Sequence, residues 1–136
     1  MVKVIVFFLF FTLLPNVMFG QSDKLSWQYI QEAEEVNAIK KGLSEQPVLF
    51  FKHSHRCGLS ELILDDLEKD WRRSAQEVRL VFVDVWKQRA IADLIAAEFG
   101  IKHHSPQVIL VRNGKVIYHQ SHGKIKVVDI EKALGR

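Results

Sequence analysis

Two kinds of hydrophobic pattern alternate along the chain, and this alternation is the feature that most limits how it can fold. Continuous apolar runs at 48–51 and 78–86 predict strands that are covered on both faces of a sheet. Apolar residues at helical spacing predict four amphipathic helices, at 31–43, 57–74, 88–99 and 125–134. Strands that are joined through helices must run parallel, with right-handed crossovers. The middle of the chain is therefore predicted to form a parallel sheet covered by helices.

Strands of a different kind are predicted before the first helix and after the third. Alternating apolar and polar residues at 23–30 predict a short edge strand before the first helix. The dipeptide Asn113–Gly114 separates short apolar runs at 108–111 and 116–118, which is typical of an antiparallel hairpin. The complete order is β-α-β-α-β-α-β-β-α. We therefore predict an α/β fold, a central mixed sheet with helices on both faces.

A single cysteine, Cys57, narrows the chemistry available to this chain of 136 residues, a length that suits one domain. One cysteine excludes an internal disulfide, a CxxC pair and an all-thiolate zinc site within the chain. The formal net charge is only +3 and no dense run of Lys or Arg occurs, so we expect no nucleic-acid partner. The thiol remains the main candidate for chemical function.

Cys57 is predicted to begin a helix directly after a buried strand, which suits a nucleophile. The attacking species in disulfide exchange is the thiolate, and the N–H groups and dipole of a first helical turn favour an anion. Lys52 and Arg56 would add positive charge, and so would His53 or His55 when protonated. The alternative is a buried, unreactive cysteine. The polar run that precedes Cys57 and ends the strand argues against it.

Pro106 follows a polar loop and precedes the predicted hairpin. A cis Ser105–Pro106 bond would form a tight turn there, whereas a trans proline at the start of a strand is the alternative. The thioredoxin fold has the same order of elements, with its reactive cysteine after the central strand and a proline before the hairpin. Cys57 and Pro106 occupy those two places. In that fold the backbone beside the proline can pair with an extended substrate.

Four short segments carry a more specific resemblance: FKHSHRCGLS at 51–60, SPQV at 105–108, NGK at 113–115 and HQSH at 119–122. Together they resemble the monothiol bacilliredoxins, thioredoxin-like proteins of the bacillithiol system, and the resemblance extends from about Trp27 to Leu134. It implies that Cys57 removes bacillithiol, a small thiol, from protein mixed disulfides. The partners implied are client proteins carrying such disulfides and a separate thiol or reductase that regenerates Cys57.

On this reading Cys57 is the catalytic residue. We expect the substrate to contact His53, Arg56, Ser105 and Pro106. No resident cofactor is expected, since bacillithiol acts as a cosubstrate, and we assign no metal ligands.

Three alternatives remain open. The segment CGLS at 57–60 also resembles the Cys-Gly-Phe-Ser element of monothiol glutaredoxins, which bind glutathione, although Ser105 and the preceding His-Ser-His-Arg do not fit that family. The His-x-His-x-Cys pattern at 53–57, with His103 and His104 close to Pro106, would suit an exported copper- or zinc-binding module. A thioredoxin-like interaction domain with an unreactive cysteine is the third.

The first twenty residues have the features of a secretory signal peptide: Lys3, an apolar run at 4–14 and the small residue Gly20. The run is short for a membrane span and Pro15 follows it. We predict a signal peptide at 1–20, a thioredoxin-like domain at 21–136 and no stable membrane span after cleavage. An exported or periplasmic location follows, with the cytoplasm, where the resembled family usually occurs, as the alternative. Export leaves the identity of the small thiol open.

We predict that the mature protein begins near Gln21 and is found in an extracytoplasmic fraction, because cleavage should follow Gly20. N-terminal sequencing of the protein from separated cell fractions tests this. An intact Met1 on protein from the cytosol would contradict it.

Overall fold

The computed structural model describes residues 25–73 and 77–135, so the predicted signal peptide lies outside the described part. The strands are β1 (Gln28–Tyr29), β2 (Val48–His53), β3 (Arg79–Asp84), β4 (Gln107–Arg112) and β5 (Lys115–Ser121). The helices are α1 (Ala33–Lys40), α2 (Gly58–Asp70), α3 (Arg89–Phe99) and α4 (Val127–Ala133), with a 3-10 turn at His122–Lys124. None of the helices in these residues is both long and apolar enough to cross a membrane.

The five strands form one mixed sheet in the order β1-β3-β2-β4-β5. β1, β3 and β2 are parallel, whereas β4 runs antiparallel to β2 and β5 antiparallel to β4. Asn113 and Gly114 connect β4 to β5 with positive φ values of 51° and 74°, as a two-residue hairpin turn requires. The predicted α/β fold and its hairpin are confirmed.

The core has two layers because side chains of the central strand alternate between the faces of the sheet. Val48 and Phe50 belong to a cluster with residues of α1 and α3 on one face. Leu49 and Phe51 belong to a second cluster with residues of α2 and α4 on the other. β2 is thus covered on both faces, as its continuous apolar run predicts.

The predicted first strand is much shorter than expected, although its place at the edge of the sheet is confirmed. The N–H of Trp27 donates to the carbonyl of Leu25 (3.0 Å), a local turn that prevents sheet pairing before Gln28. The Trp27 ring packs instead against Phe51 and Phe82, at centroid distances of 5.7 and 5.8 Å.

The expectation that polar residues end β2 after Phe51 is wrong, because the strand continues through Lys52 and His53. Both side chains are buried, and each has a polar partner, which is the condition for burying such groups. Lys52 Nζ donates to Gln107 Oε1 (2.9 Å), and His53 Nε2 lies 3.0 Å from Glu61 Oε1. Lys52 shares its face with Phe50, so its ammonium lies on the side of the sheet opposite α2 and not beside the thiol.

Burial lowers the pKa of Lys52 from 10.5 to about 8. Between these pH values the unfolded chain binds more protons than the folded chain, so folding stability rises with pH. From pH 7 to 11, the unfolding free energy of the parent should rise relative to that of Lys52→Met by on the order of 3 kcal/mol. Urea denaturation across this range measures it.

Lys115→Met is the matched control, because Lys115 is exposed. The unfolding free energy of this control should change with pH in the same way as that of the parent. A difference between parent and Lys52→Met that stays constant from pH 7 to 11 would contradict the prediction.

Candidate active site around Cys57

Cys57 is the N-cap residue of α2 and carries a free, partly exposed thiol. Its backbone is extended (φ −121°, ψ 110°), while its carbonyl accepts the N–H groups of Ser60 (2.9 Å) and Glu61 (3.3 Å). The thiol therefore lies at the positive end of a 13-residue helix. This is the position that the sequence pattern predicts for it.

Ser60, three residues after the thiol, supports the loop that leads into the helix. Its side chain is fully buried, and its hydroxyl accepts the N–H of Ser54 (3.0 Å). The N–H of Cys57 donates to the carbonyl of Ser54 (3.0 Å), which closes the turn. A hydroxyl engaged with the backbone thus occupies the place where a CxxC motif has its second thiol.

An open cavity of about 400 Å³ borders the thiol. Three segments of the chain form it: the start of α2, the turn between β3 and α3, and the loop before β4. Its lining residues are Ser54, Cys57, Val85, Trp86, Arg89 and Ser105. A small molecule or an extended peptide can therefore approach the sulfur of Cys57 from solvent.

Trp86 forms one wall of this cavity, and Arg56, which does not itself line the cavity, stacks on its ring. The Arg56 guanidinium lies 4.1 Å from the centroid of the Trp86 ring, a separation at which cation and ring attract each other. Trp86 Nε1 donates to Ser54 Oγ (2.9 Å), which fixes the plane of the ring. Trp86 nevertheless remains 54% exposed, so its surface is available to a ligand.

The sequence interpretation missed Trp86 because it placed the residue within a buried strand. The strand ends at Asp84, whose Oδ1 accepts the N–H groups of Trp86 (2.9 Å) and Lys87 (3.2 Å) and so turns the chain. An Asp within an apolar run is a turn signal that could have been recognised. Arg89 was also missed as a site residue. Its place at the start of α3, after a parallel strand, was the available signal.

Asp84 is held as a carboxylate by this turn. Burial acts to raise the pKa of Asp84, but the N–H groups of Lys87 and Trp86 and the nearby His55 and Lys87 charges together lower it. His55 Nδ1 lies 3.6 Å from Asp84 Oδ2. Asp84 therefore anchors both the turn that carries Trp86 and the histidine two residues before the thiol.

Ser105, a predicted substrate contact, lines the cavity, and the bond to Pro106 is cis. The Ser105 hydroxyl donates to the carbonyl of Lys52 (3.4 Å). Gln107 Nε2 donates to the carbonyl of Lys102 (2.9 Å) and to Ser121 Oγ (3.2 Å). Together with the bond from Lys52 Nζ, these contacts attach the loop at 102–105 to three neighbouring strands.

The other predicted contact residues take different positions. Arg56 is exposed on the Trp86 wall, whereas Pro106 is buried behind Ser105. His53 lies beneath α2 and does not line the cavity; its ring packs against Phe82 at a centroid distance of 5.0 Å. Its bond to Glu61 gives it a supporting place under the first turn of α2.

The His-x-His-x-Cys pattern does not converge on one point. His53 pairs with Glu61, while His55 faces Asp84. Within residues 25–73 and 77–135, no three His, Cys, Asp or Glu side chains come close enough together to hold a metal ion. A copper or zinc centre at Cys57 therefore has no ligand set in this part of the chain.

Replacing Ser60 by alanine should lower the unfolding free energy by roughly 1–3 kcal/mol, because the buried N–H of Ser54 loses its acceptor. Urea denaturation measures this loss. Ser44→Ala is the matched control, since the Ser44 hydroxyl only donates to the carbonyl of Gln46 in a partly exposed loop. We expect that control to change stability by about 0.5 kcal/mol or less. Equal losses in both variants would contradict the assigned role of Ser60.

The comparisons with known proteins agree with this architecture. Residues 28–130 match the family model described as monothiol bacilliredoxin BrxC. A solved structure assigned as an oxidoreductase with a thioredoxin fold is 23% identical, with a TM-score of 0.66 over 79% of this chain and 92% of that one. Thioredoxin from Trypanosoma brucei brucei has a TM-score of 0.61 at 17% identity, over 80% of this chain and 88% of its own.

Malassezia sympodialis thioredoxin is similar at the same level, with a TM-score of 0.59 and 24% identity over 80% of this chain and 88% of that chain. At such identities these structures establish the thioredoxin fold. The family model adds the narrower relationship, because it spans most of the 136 residues, including the thiol and the proline loop. The chain belongs to the monothiol bacilliredoxin family.

Proposed function

We propose that this thiol oxidoreductase removes bacillithiol, or a similar small thiol, from protein mixed disulfides through Cys57. The observation that carries the proposal is the placement of the only cysteine of the chain. It lies partly exposed at the N-terminus of α2 and borders an open cavity. Membership of the monothiol bacilliredoxin family supports the choice of a mixed disulfide as substrate.

The first step is a thiol–disulfide exchange. The Cys57 thiolate attacks the sulfur of the small thiol within the mixed disulfide of the client. A new S–S bond forms between Cys57 and the small thiol as the old S–S bond breaks. The client sulfur leaves as a thiolate and takes a proton from water. The client cysteine is thereby reduced, and Cys57 is oxidised to a mixed disulfide.

The second step must use a sulfur from outside the chain. Ser60 occupies the place of a resolving thiol, and its hydroxyl is bonded to the backbone of Ser54. A second small thiol attacks the sulfur that Cys57 carries, which releases a symmetric small-molecule disulfide and restores the Cys57 thiolate. A separate reductase would deliver the same two electrons. No resident cofactor takes part in either step.

We propose that different walls of the cavity bind different parts of the substrate. Arg56, stacked on Trp86, would contact the small-thiol portion, because a guanidinium held on a ring is pre-oriented toward an anionic or polar group. The backbone at Ser105 would pair with the extended client segment, as in strand addition at a sheet edge. Pro106 would contribute by shaping the turn that presents Ser105.

The cellular setting is a separate part of the proposal and rests on the sequence at 1–20. In an exported protein the clients would be extracytoplasmic proteins with oxidised cysteines. Bacillithiol is the small thiol that the family favours, and glutathione is the alternative that the glutaredoxin-like CGLS segment suggests.

Intact mass spectrometry of a single-turnover reaction tests the function directly. A client protein carrying bacillithiol on one cysteine should lose that mass, and Cys57 should gain it in a reaction that Cys57→Ser does not perform. The same client carrying glutathione serves as the comparison, with slower transfer expected. Absence of a Cys57 adduct with either small thiol would refute the proposal.

The Trp86 wall can be tested with a variant pair. Trp86→Ala removes the stacking partner of Arg56 and should raise KM for the mixed-disulfide client roughly two- to fivefold, the equivalent of one exposed cation–ring contact. Trp86→Phe retains an aromatic ring and should keep KM closer to that of the parent. Steady-state kinetics with the bacillithiol-carrying client measures both. An unchanged KM in Trp86→Ala would show that the wall does not bind substrate.

A further inference from the structure

A second polar cavity, of about 460 Å³, lies beside the loop that precedes β4, next to the end of β5. Three histidines line it, His104, His119 and His122, and none of the carboxylates in residues 25–73 and 77–135 does. Lys102 and Lys124 also border the cavity, but both are exposed to solvent. The thiol chemistry at Cys57 uses none of these histidines.

Two of the three rings are arranged as ligands of one ion would be. His104 Nδ1 and His122 Nε2 lie 3.4 Å apart, and the ring centres are separated by 5.2 Å. Two imidazoles that bind a tetrahedral Zn²⁺ at about 2.05 Å place their nitrogens about 3.3 Å apart and their ring centres about 5.3 Å apart. Both measured separations agree with that geometry.

The distance between the two nitrogens also distinguishes Zn²⁺ from Cu²⁺. Adjacent imidazoles on a square-planar Cu²⁺ have nitrogens only about 2.8 Å apart at bond lengths of about 2.0 Å. The separation in this protein is wider, so it matches tetrahedral Zn²⁺ better.

The backbone holds both histidines in these positions. His122 has a φ of 57°, in the left-handed region that few non-glycine residues adopt, and its N–H donates to the carbonyl of Pro106 (2.9 Å). The N–H of His104 donates to Gln107 Oε1 (3.4 Å), and Gln107 is buried. The backbone at each histidine is thus attached to the framework around Pro106.

The two rings also differ from the histidines near the thiol. His53 and His55 each face a carboxylate, at 3.0 and 3.6 Å. Within the described part of the chain, no ion pair involves His104 or His122. In that part of the chain, neither ring is therefore oriented by a carboxylate.

We propose that His104 and His122 bind one divalent transition-metal ion, best matched by Zn²⁺, through Nδ1 and Nε2 respectively. The described residues supply no set of three ligands, so the remaining coordination positions are open to water. A bound ion would link the loop at 102–105 to the turn after β5. The competing explanation is that the two nitrogens only share a hydrogen bond.

Calorimetric titration of the full chain with ZnCl₂ tests the site, in a Cys57→Ser background so that the thiol does not compete. We expect saturable binding of one ion per chain. His104→Gln and His122→Asn should each weaken it by more than about tenfold, since loss of an outer-shell partner alone costs roughly 10- to 100-fold. Asn is chosen because it tolerates the left-handed backbone. His55→Gln, a control outside the cavity, should bind Zn²⁺ as tightly as the Cys57→Ser protein without a further change.

A measurement without substitution in the cavity guards against variants that fold poorly. In ¹H–¹⁵N spectra of the histidine rings of the Cys57→Ser protein, Zn²⁺ should shift the resonances of His104 Nδ1 and His122 Nε2 and leave those of His53 unchanged. Absence of saturable binding, binding retained in both cavity variants, or unshifted His104 and His122 resonances would each overturn the site.

Discussion

The pairing of β2 with β3 on one side and β4 on the other is the constraint on which the rest of the structure depends. All six residues of β2 are buried, and its first four side chains alternate between the two core clusters. The end of this strand is therefore held between neighbouring strands on both sides. Because only a short turn separates β2 from α2, Cys57 is presented at the carboxyl end of the central strand.

The polar residues at the end of β2 extend this constraint into the active site. Lys52 reaches β4 through Gln107, and Gln107 in turn holds the loop at 102–105. His53 supports the first turn of α2 through Glu61. Each group is buried with a partner, so the loops on both sides of the thiol share one hydrogen-bonded framework. This arrangement explains how a site without a second cysteine still has defined walls.

Most of the fold could be predicted from local patterns, because strands and helices differ in period and because Asn–Gly favours one kind of turn. The helix start at Cys57 and the turn at Pro106 belong to the same category. The limit of β2 could not be predicted in this way, because Lys52 looked like a strand breaker and its burial depends on Gln107, which is distant in sequence. The limit of β3 was marked by Asp84, but the apolar run around this residue made Trp86 look like a core residue.

The sequence by itself determined the order of the elements, the absence of a second thiol and the place of Cys57 at a helix N-terminus, since these follow from periodicity and composition. Only the tertiary structure decided which side chains surround the sulfur. Trp86 meets Ser54 across 32 positions of sequence, and Lys52 meets Gln107 across 55. These contacts depend on the order and register of the strands, which bring residues distant in sequence together only when the chain folds.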